Sequence, residues 1–147
     1  IELPAGILDV ADEDPLTAAE RELGEEAGVA AREWSLLTDI FTSPGFAEET
    51  VRIYLAESLT AVDRPDPEDE EADMTLDWVG LDEAVDMVLR GDVVNSIAEA
   101  GILAAHATIA LGKRHRKADE PFDLRPRNLA RRRTEALGPG ADLKQVP

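Results

Sequence analysis

Glu13-Asp-Pro-Leu-Thr-Ala-Ala-Glu-Arg21-Glu22-Leu23-Gly24-Glu25-Glu26-Ala27-Gly28-Val29 is the most informative stretch of this 147-residue chain. Asp14 before Pro15 combines an N-cap residue with proline at the first helical position. Gly28 stands where a left-handed C-terminal residue is expected, so the spacing predicts a helix from about Pro15 to Ala27. Leu16, Ala19, Leu23 and Ala27 recur at spacings of three and four and mark its apolar stripe. At about 100° per residue, Glu22 and Glu26 lie about 40° apart, with Glu25 about 60° to the other side of Glu22. Three carboxylates on one edge of a helix repel by a few tenths of a kcal/mol per pair. A hard divalent cation with oxygen ligands is the natural offset. Arg21, just before the cluster, is placed to hold a carboxylate through its guanidinium. Three glutamates on a helix are, taken alone, more often a solvated acidic face, so the wider pattern has to decide.

Outward from the helix, Gly6 to Asp14 reads as a loop. Trp34–Phe41 and Thr50–Ala56 read as two antiparallel strands around a turn at Ser43-Pro44-Gly45. Asp63–Asp73 is an acidic loop with two prolines, followed by an expected strand near Met74–Val79. Leu81–Arg90 is a helix stopped at Gly91, and a second helix runs from Ser96 to about Leu111, stopped at Gly112. From Ala118 onward, proline, glycine and arginine suggest an extended, partly ordered tail.

The chain carries 15 Lys and Arg against 32 Asp and Glu, a formal charge of −17, and its hydrophobic fraction of 44% is enough for a folded core. Residues 1–112 hold 27 acids and 5 bases (−22), and residues 113–147 hold 5 acids and 10 bases (+5). The acidic part repels a polyanion unless a cation bridges the two. Lys113-Arg114-His115-Arg116-Lys117 and Arg131-Arg132-Arg133 read as a helix end and a solvated tail rather than an RNA-binding segment, and no nucleic-acid partner is expected. The absence of cysteine excludes disulfides, a thiolate zinc site and a Cys nucleophile. His106 and His115 lack the i, i+4 spacing of a zinc pair, and there is no Gly-x-Ser-x-Gly elbow or phosphate-cradling glycine loop. No stretch has the length of a membrane helix and the N-terminus has no signal-peptide pattern. A soluble, cytoplasmic protein with no membrane partner is the expectation.

Glu13, seven residues, then Arg21-Glu22-Leu23-Gly24-Glu25-Glu26-Ala27-Gly28-Val29 resembles the Nudix box, with six residues rather than five between Gly6 and Glu13. The resemblance implies a Nudix-type α/β/α sandwich with a mixed sheet over residues 1–112, followed by a basic tail over 113–147. It implies a hydrolase of nucleoside diphosphate derivatives that uses Mg²⁺ or Mn²⁺. Glu22 and Glu26 would be the main metal ligands, with Glu25 and the carbonyl of Ala5 as further ligands, and Glu13 and Arg21 would orient the helix. Glu2-Leu3-Pro4-Ala5-Gly6 and Ser43-Pro44-Gly45-Phe46 resemble the ADP-ribose pyrophosphatase branch. That branch implies hydrolysis of ADP-ribose to AMP and ribose 5-phosphate, with Leu3, Pro44 and Gly45 at the substrate. It also implies a catalytic glutamate on the acidic loop, Glu70 or Glu71, acting with Glu25. Another nucleotide sugar or dinucleoside polyphosphate, or a binding module without turnover, are the alternatives. The chain starts at Ile1 without an initiator methionine. Against the resemblance, the family's N-terminal strands are expected to be missing from this chain, and the expectation is a homodimer in the full-length protein and weak activity for this chain alone. Trp34, Phe41 and Phe46 are expected in a core or an interface rather than stacked on a purine.

Overall fold

Asp14 opens α1 (Pro15–Ala27) as the sequence predicts. Its carboxylate accepts the amides of Leu16 at 3.0 Å and Thr17 at 3.3 Å, and Pro15 fills a position where no amide is needed. Gly28 closes the helix at φ 64°, donating its N–H to the Gly24 carbonyl. The computed structural model describes residues 1–8, 13–64, 75–113 and 116–126. Within α1 the buried positions are Ala18 and Ala27, while Leu16, Ala19 and Leu23 are half-buried.

β2 (Glu33–Phe41) and β3 (Thr50–Glu57) pair antiparallel, with Leu36 opposite Tyr54 and Thr38 opposite Ile53. The register shift at Leu37 is a bulge with a consequence for side chains. Strict alternation would place Asp39 on the face opposite Leu36; the extra residue brings both to the face of Tyr54 and Arg52. The other face carries Ile53 and packs on α3 (Ser96–Ile109), where a Cβ on Gly101 would lie 3.3 Å from Ile53 Cγ2. The α1 start lies on the Tyr54 side. The Tyr54 hydroxyl is raised above its ordinary pKa, first by burial, with the Asp14 charge contributing and Arg52 opposing. α3 packs on both strands of the pair, and α1 contacts β3. α2 (Leu81–Arg90) packs on α3, and Val93, Ala98 and Ile102 form the core between them with Leu3, Leu81, Val85 and Val88.

Two sheets result, β1 (Val29–Ala30) with β4 (Thr60–Ala61), and β3-β2-β5 with β5 at Arg116–Lys117. The fold is α/β; among the described residues every strand pair is antiparallel. α3 ends at Ile109, two residues before the expected Leu111. The strand expected near 74–79 is not formed over residues 75–79, where Trp78 is 66% exposed. Alternation there expresses a local preference, but a strand also needs a neighbour to bond with.

Arg116 and Lys117, read from sequence as part of a solvated basic end, instead pair with Leu36 and Ser35 on the edge of β2. Arg52 explains why that segment stays. Its side chain is 4% exposed and grips Asp39 through Nε–Oδ1 at 2.7 Å and Nη2–Oδ2 at 3.1 Å. It also donates to the carbonyls of Glu120 at 2.6 Å and Pro121 at 3.1 Å, and lies 4.3 Å from the Phe122 ring centre. Burial opposes the charge on Arg52, yet the bonds to Asp39 and Tyr54 outweigh it and raise the pKa. Arg125 and Leu124 continue the attachment, to the Glu13 carbonyl and the Thr50 hydroxyl.

Candidate active site

The extended segment before the helix is fastened at four successive points. Glu2 accepts from the Asn95 side chain at 3.2 Å, and Leu3 packs where any side chain at Gly101 would come within 2.7 Å of its Cδ1. The Ala5 amide donates to Glu26 Oε2 at 3.0 Å. Gly6 then passes so close to α1 that a Cβ on it would stand 1.9 Å from Glu22 Oε1. Glycine is required here for close approach rather than for an unusual backbone angle. The segment thus bridges α3 to the carboxylate edge of α1.

On that edge Arg21 does more than hold one partner. Its Nη1 lies 2.8 Å from Glu22 Oε1 and 2.9 Å from Glu25 Oε2, and its Nε lies 3.5 Å from Glu13 Oε1. These bonds raise its pKa, Glu25 contributing most, then Glu13, with burial opposing and Glu22 adding. Part of the offset to carboxylate repulsion, assigned from sequence to a cation, therefore comes from within the helix. Glu13 is nearly buried, and among the described residues its Oε2 has no hydrogen-bond partner. Among the described residues no three acidic or histidine side chains already converge as a formed metal site. The donor chemistry nevertheless fits a hard divalent ion. Glu22, Glu25 and Glu26 offer carboxylate oxygens on adjoining turns, and the close pass of Gly6 keeps the chain beside them. Ala5 is brought to Glu26 by its N–H; its carbonyl was the atom expected to act.

A cleft of about 430 Å³ opens beside this edge, lined by Leu3, Pro4, Ala5, Glu26, Arg64, Thr75 and Leu76 among others. Leu3 thus serves both the core and the cleft wall. Pro44 does not join them. It lines a second cavity of about 280 Å³ with Phe41, Leu124 and Pro126, while Gly45 is exposed. Phe46, expected in a core or interface, is 95% exposed in the single chain. Trp34 is half-buried and meets Tyr54 edge-on with ring centres 6.2 Å apart. Glu70 and Glu71 lie outside the described residues, although Arg64 and Thr75, on either side of that stretch, both line the cleft. Arg64 was missed from sequence. Its only local signal is that it is one of five cations in the acidic first 112 residues.

The helix, its carboxylates and the segment bonded to it lie within a match to the family model described as NUDIX domain, which covers residues 1–121. The chain belongs to the Nudix family. This Nudix chain is 51% identical over 134 residues to the ADP-ribose pyrophosphatase of Mycobacterium tuberculosis, covering 91% of the chain and 65% of that protein. It is 36% identical over 96 residues to the ADP-ribose pyrophosphatase of Bacillus subtilis, covering 65% of the chain and 51% of that protein. The methanol dehydrogenase activator of Bacillus methanolicus is 35% identical over 96 residues, with the same coverage of each chain. The Nudix chain therefore spans between about half and two thirds of the length of these relatives. Among its described residues, no helix is long and apolar enough to cross a membrane.

Proposed function

We propose that the chain is the catalytic portion of a metal-dependent hydrolase that cleaves the pyrophosphate bond of ADP-ribose, giving AMP and ribose 5-phosphate. The observation that carries this reading is the cleft in which the Leu3–Gly6 segment is bonded to the carboxylate edge of α1. The 51% identical ADP-ribose pyrophosphatase supports the choice of substrate. Glu22, Glu26 and Glu25 would hold Mg²⁺ or Mn²⁺ with the main chain of Ala5, and Glu13 and Arg21 would keep the helix edge in place. A bound divalent cation would neutralise the diphosphate, polarise a P–O bond and lower the pKa of the attacking water. Glu70 or Glu71 would orient that water for attack on phosphorus. Leu3 shapes the cleft wall, and Pro44 with Gly45 would meet a more distant part of the substrate. A cytoplasmic homodimer belongs to the same reading.

Incubation of the chain with ADP-ribose and Mg²⁺, followed by chromatography for AMP, tests it. AMP and ribose 5-phosphate in equal amounts are expected. Cleavage of another nucleotide sugar or a dinucleoside polyphosphate, with no AMP from ADP-ribose, would overturn the substrate.

Gly6→Ala supplies a sharper check on the geometry. The added methyl would stand 1.9 Å from Glu22 Oε1 and 2.5 Å from its Cγ, so the whole Glu22 side chain, and not its carboxylate alone, must swing aside. The expected result is a fall in kcat/KM of about 10- to 100-fold, the scale for disturbing groups around a metal. The melting temperature should move by only a few degrees. Unchanged turnover would mean that the close pass of Gly6 has no bearing on the chemistry.

A further inference from the structure

Five cations lie within residues 1–112, and three are already committed to carboxylates. Arg21 holds Glu13, Glu22 and Glu25; Arg52 holds Asp39; Arg90 holds Glu83 and Asp92. Arg64 differs. It is half-buried in the wall of the same cleft as Ala5 and Glu26, and among the described residues no carboxylate lies within ion-pair distance of it. Its Nε donates to the Glu25 carbonyl at 3.0 Å, while no bond joins its two terminal nitrogens to another described residue.

Its position is set by the backbone leading into it and by the end of α1 beside it. β4 pairs with β1 directly after α1, Val62 N–H bonds to the Gly28 carbonyl at 2.9 Å, and Arg64 Cβ lies 3.4 Å from where a Cβ on Gly28 would be. The left-handed cap of the carboxylate helix therefore aligns Arg64 with that helix. An arginine on the last carbonyls of a helix is an ordinary stabilising contact, favourable with the negative end of the helix dipole. That contact uses one nitrogen. The remaining fork of two N–H₂ groups is the shape that grips two oxygens of a phosphoryl group.

Resting on the proposed diphosphate chemistry, we infer that Arg64 binds the non-bridging oxygens of one phosphoryl group of the substrate. Among the described residues lining the cleft it is the one cationic side chain, beside the carboxylates of Glu2 and Glu26. The cation would serve one phosphoryl group and Arg64 the other, which favours substrates with two adjacent phosphates over monophosphates.

Inorganic pyrophosphate is the probe, titrated calorimetrically into the full chain with and without Mg²⁺, alongside steady-state turnover of ADP-ribose and thermal unfolding. Arg64→Ala is expected to weaken pyrophosphate binding and raise KM by about 10- to 100-fold, with kcat within about threefold. Arg64→Lys should restore part of the binding. Arg64→Gln keeps a donor for the Glu25 carbonyl without the charge, so it decides the matter if the alanine variant fails to fold, and it should bind as weakly as alanine. Wild-type pyrophosphate affinity in Arg64→Gln, or a loss confined to melting temperature and kcat, would leave only a helix-capping role and overturn the assignment. Arg64-dependent pyrophosphate binding without AMP from ADP-ribose would sink the proposed reaction and leave this assignment standing.

Discussion

Glu26→Gln is expected to lower kcat/KM for ADP-ribose by about 10³-fold. A ligand carboxylate contributes several kcal/mol of charge stabilisation through its metal, and about 4 kcal/mol corresponds to that factor. The substitution is nearly isosteric, and the glutamine oxygen still accepts the Ala5 amide that now bonds to Glu26 Oε2 at 3.0 Å. The Leu3–Gly6 segment should therefore stay on α1, and the melting temperature should change by only a few degrees. Mn²⁺ binding followed by electron paramagnetic resonance is the independent readout. It should weaken markedly in the variant. Full activity with full Mn²⁺ affinity would remove Glu26 from the ligand set.

The second large effect concerns stability. Arg52→Ala removes the main partner of Asp39, whose side chain is 9% exposed and, among the described residues, would keep Arg116 at 3.4 Å. Breaking one side of a buried pair costs about 3–5 kcal/mol, since the surviving charge stays desolvated. At this chain length that is roughly 10–15 °C in melting temperature. The same change strips the Glu120 and Pro121 carbonyls of their donor and Phe122 of its cation. Amide exchange over residues 116–126 should accelerate along with it. The double variant Arg52→Met, Asp39→Leu should recover most of the loss, because replacing both charges leaves neither unpaired. A single variant as stable as wild type would show that the pair contributes nothing beyond packing.

α1 was legible because its signals are local. Asp14, Pro15 and Gly28 act within one turn of the residues they cap, and the Glu22, Glu25 and Glu26 spacing follows from helical pitch. The β2–β3 pair was legible from alternation around the Ser43–Gly45 turn. The misreadings share one cause. Residues 75–79 have the alternation of a strand but, among the described residues, no strand to pair with, whereas Arg116 and Lys117 have only two residues of pairing and no pattern of their own. The Leu37 bulge left no clear mark beyond two adjacent leucines, yet it turns Asp39 toward Arg52. A lone arginine in the otherwise apolar run Val51–Leu55 was the one available hint of that pair.

The sequence by itself determined the family and the carboxylate helix, because spacing along a helix is decided by chain geometry a few residues long. Only the tertiary structure decided that Arg21 spreads over three carboxylates, that Gly6 is needed for closeness to Glu22, and that Arg64 faces the cleft beside Glu26. The latter two depend on segments distant along the chain being brought together by pairing and packing, which no local pattern encodes. Arg21 was adjacent to its partners all along, yet how one guanidinium divides among three acids depends on the side-chain positions the fold permits.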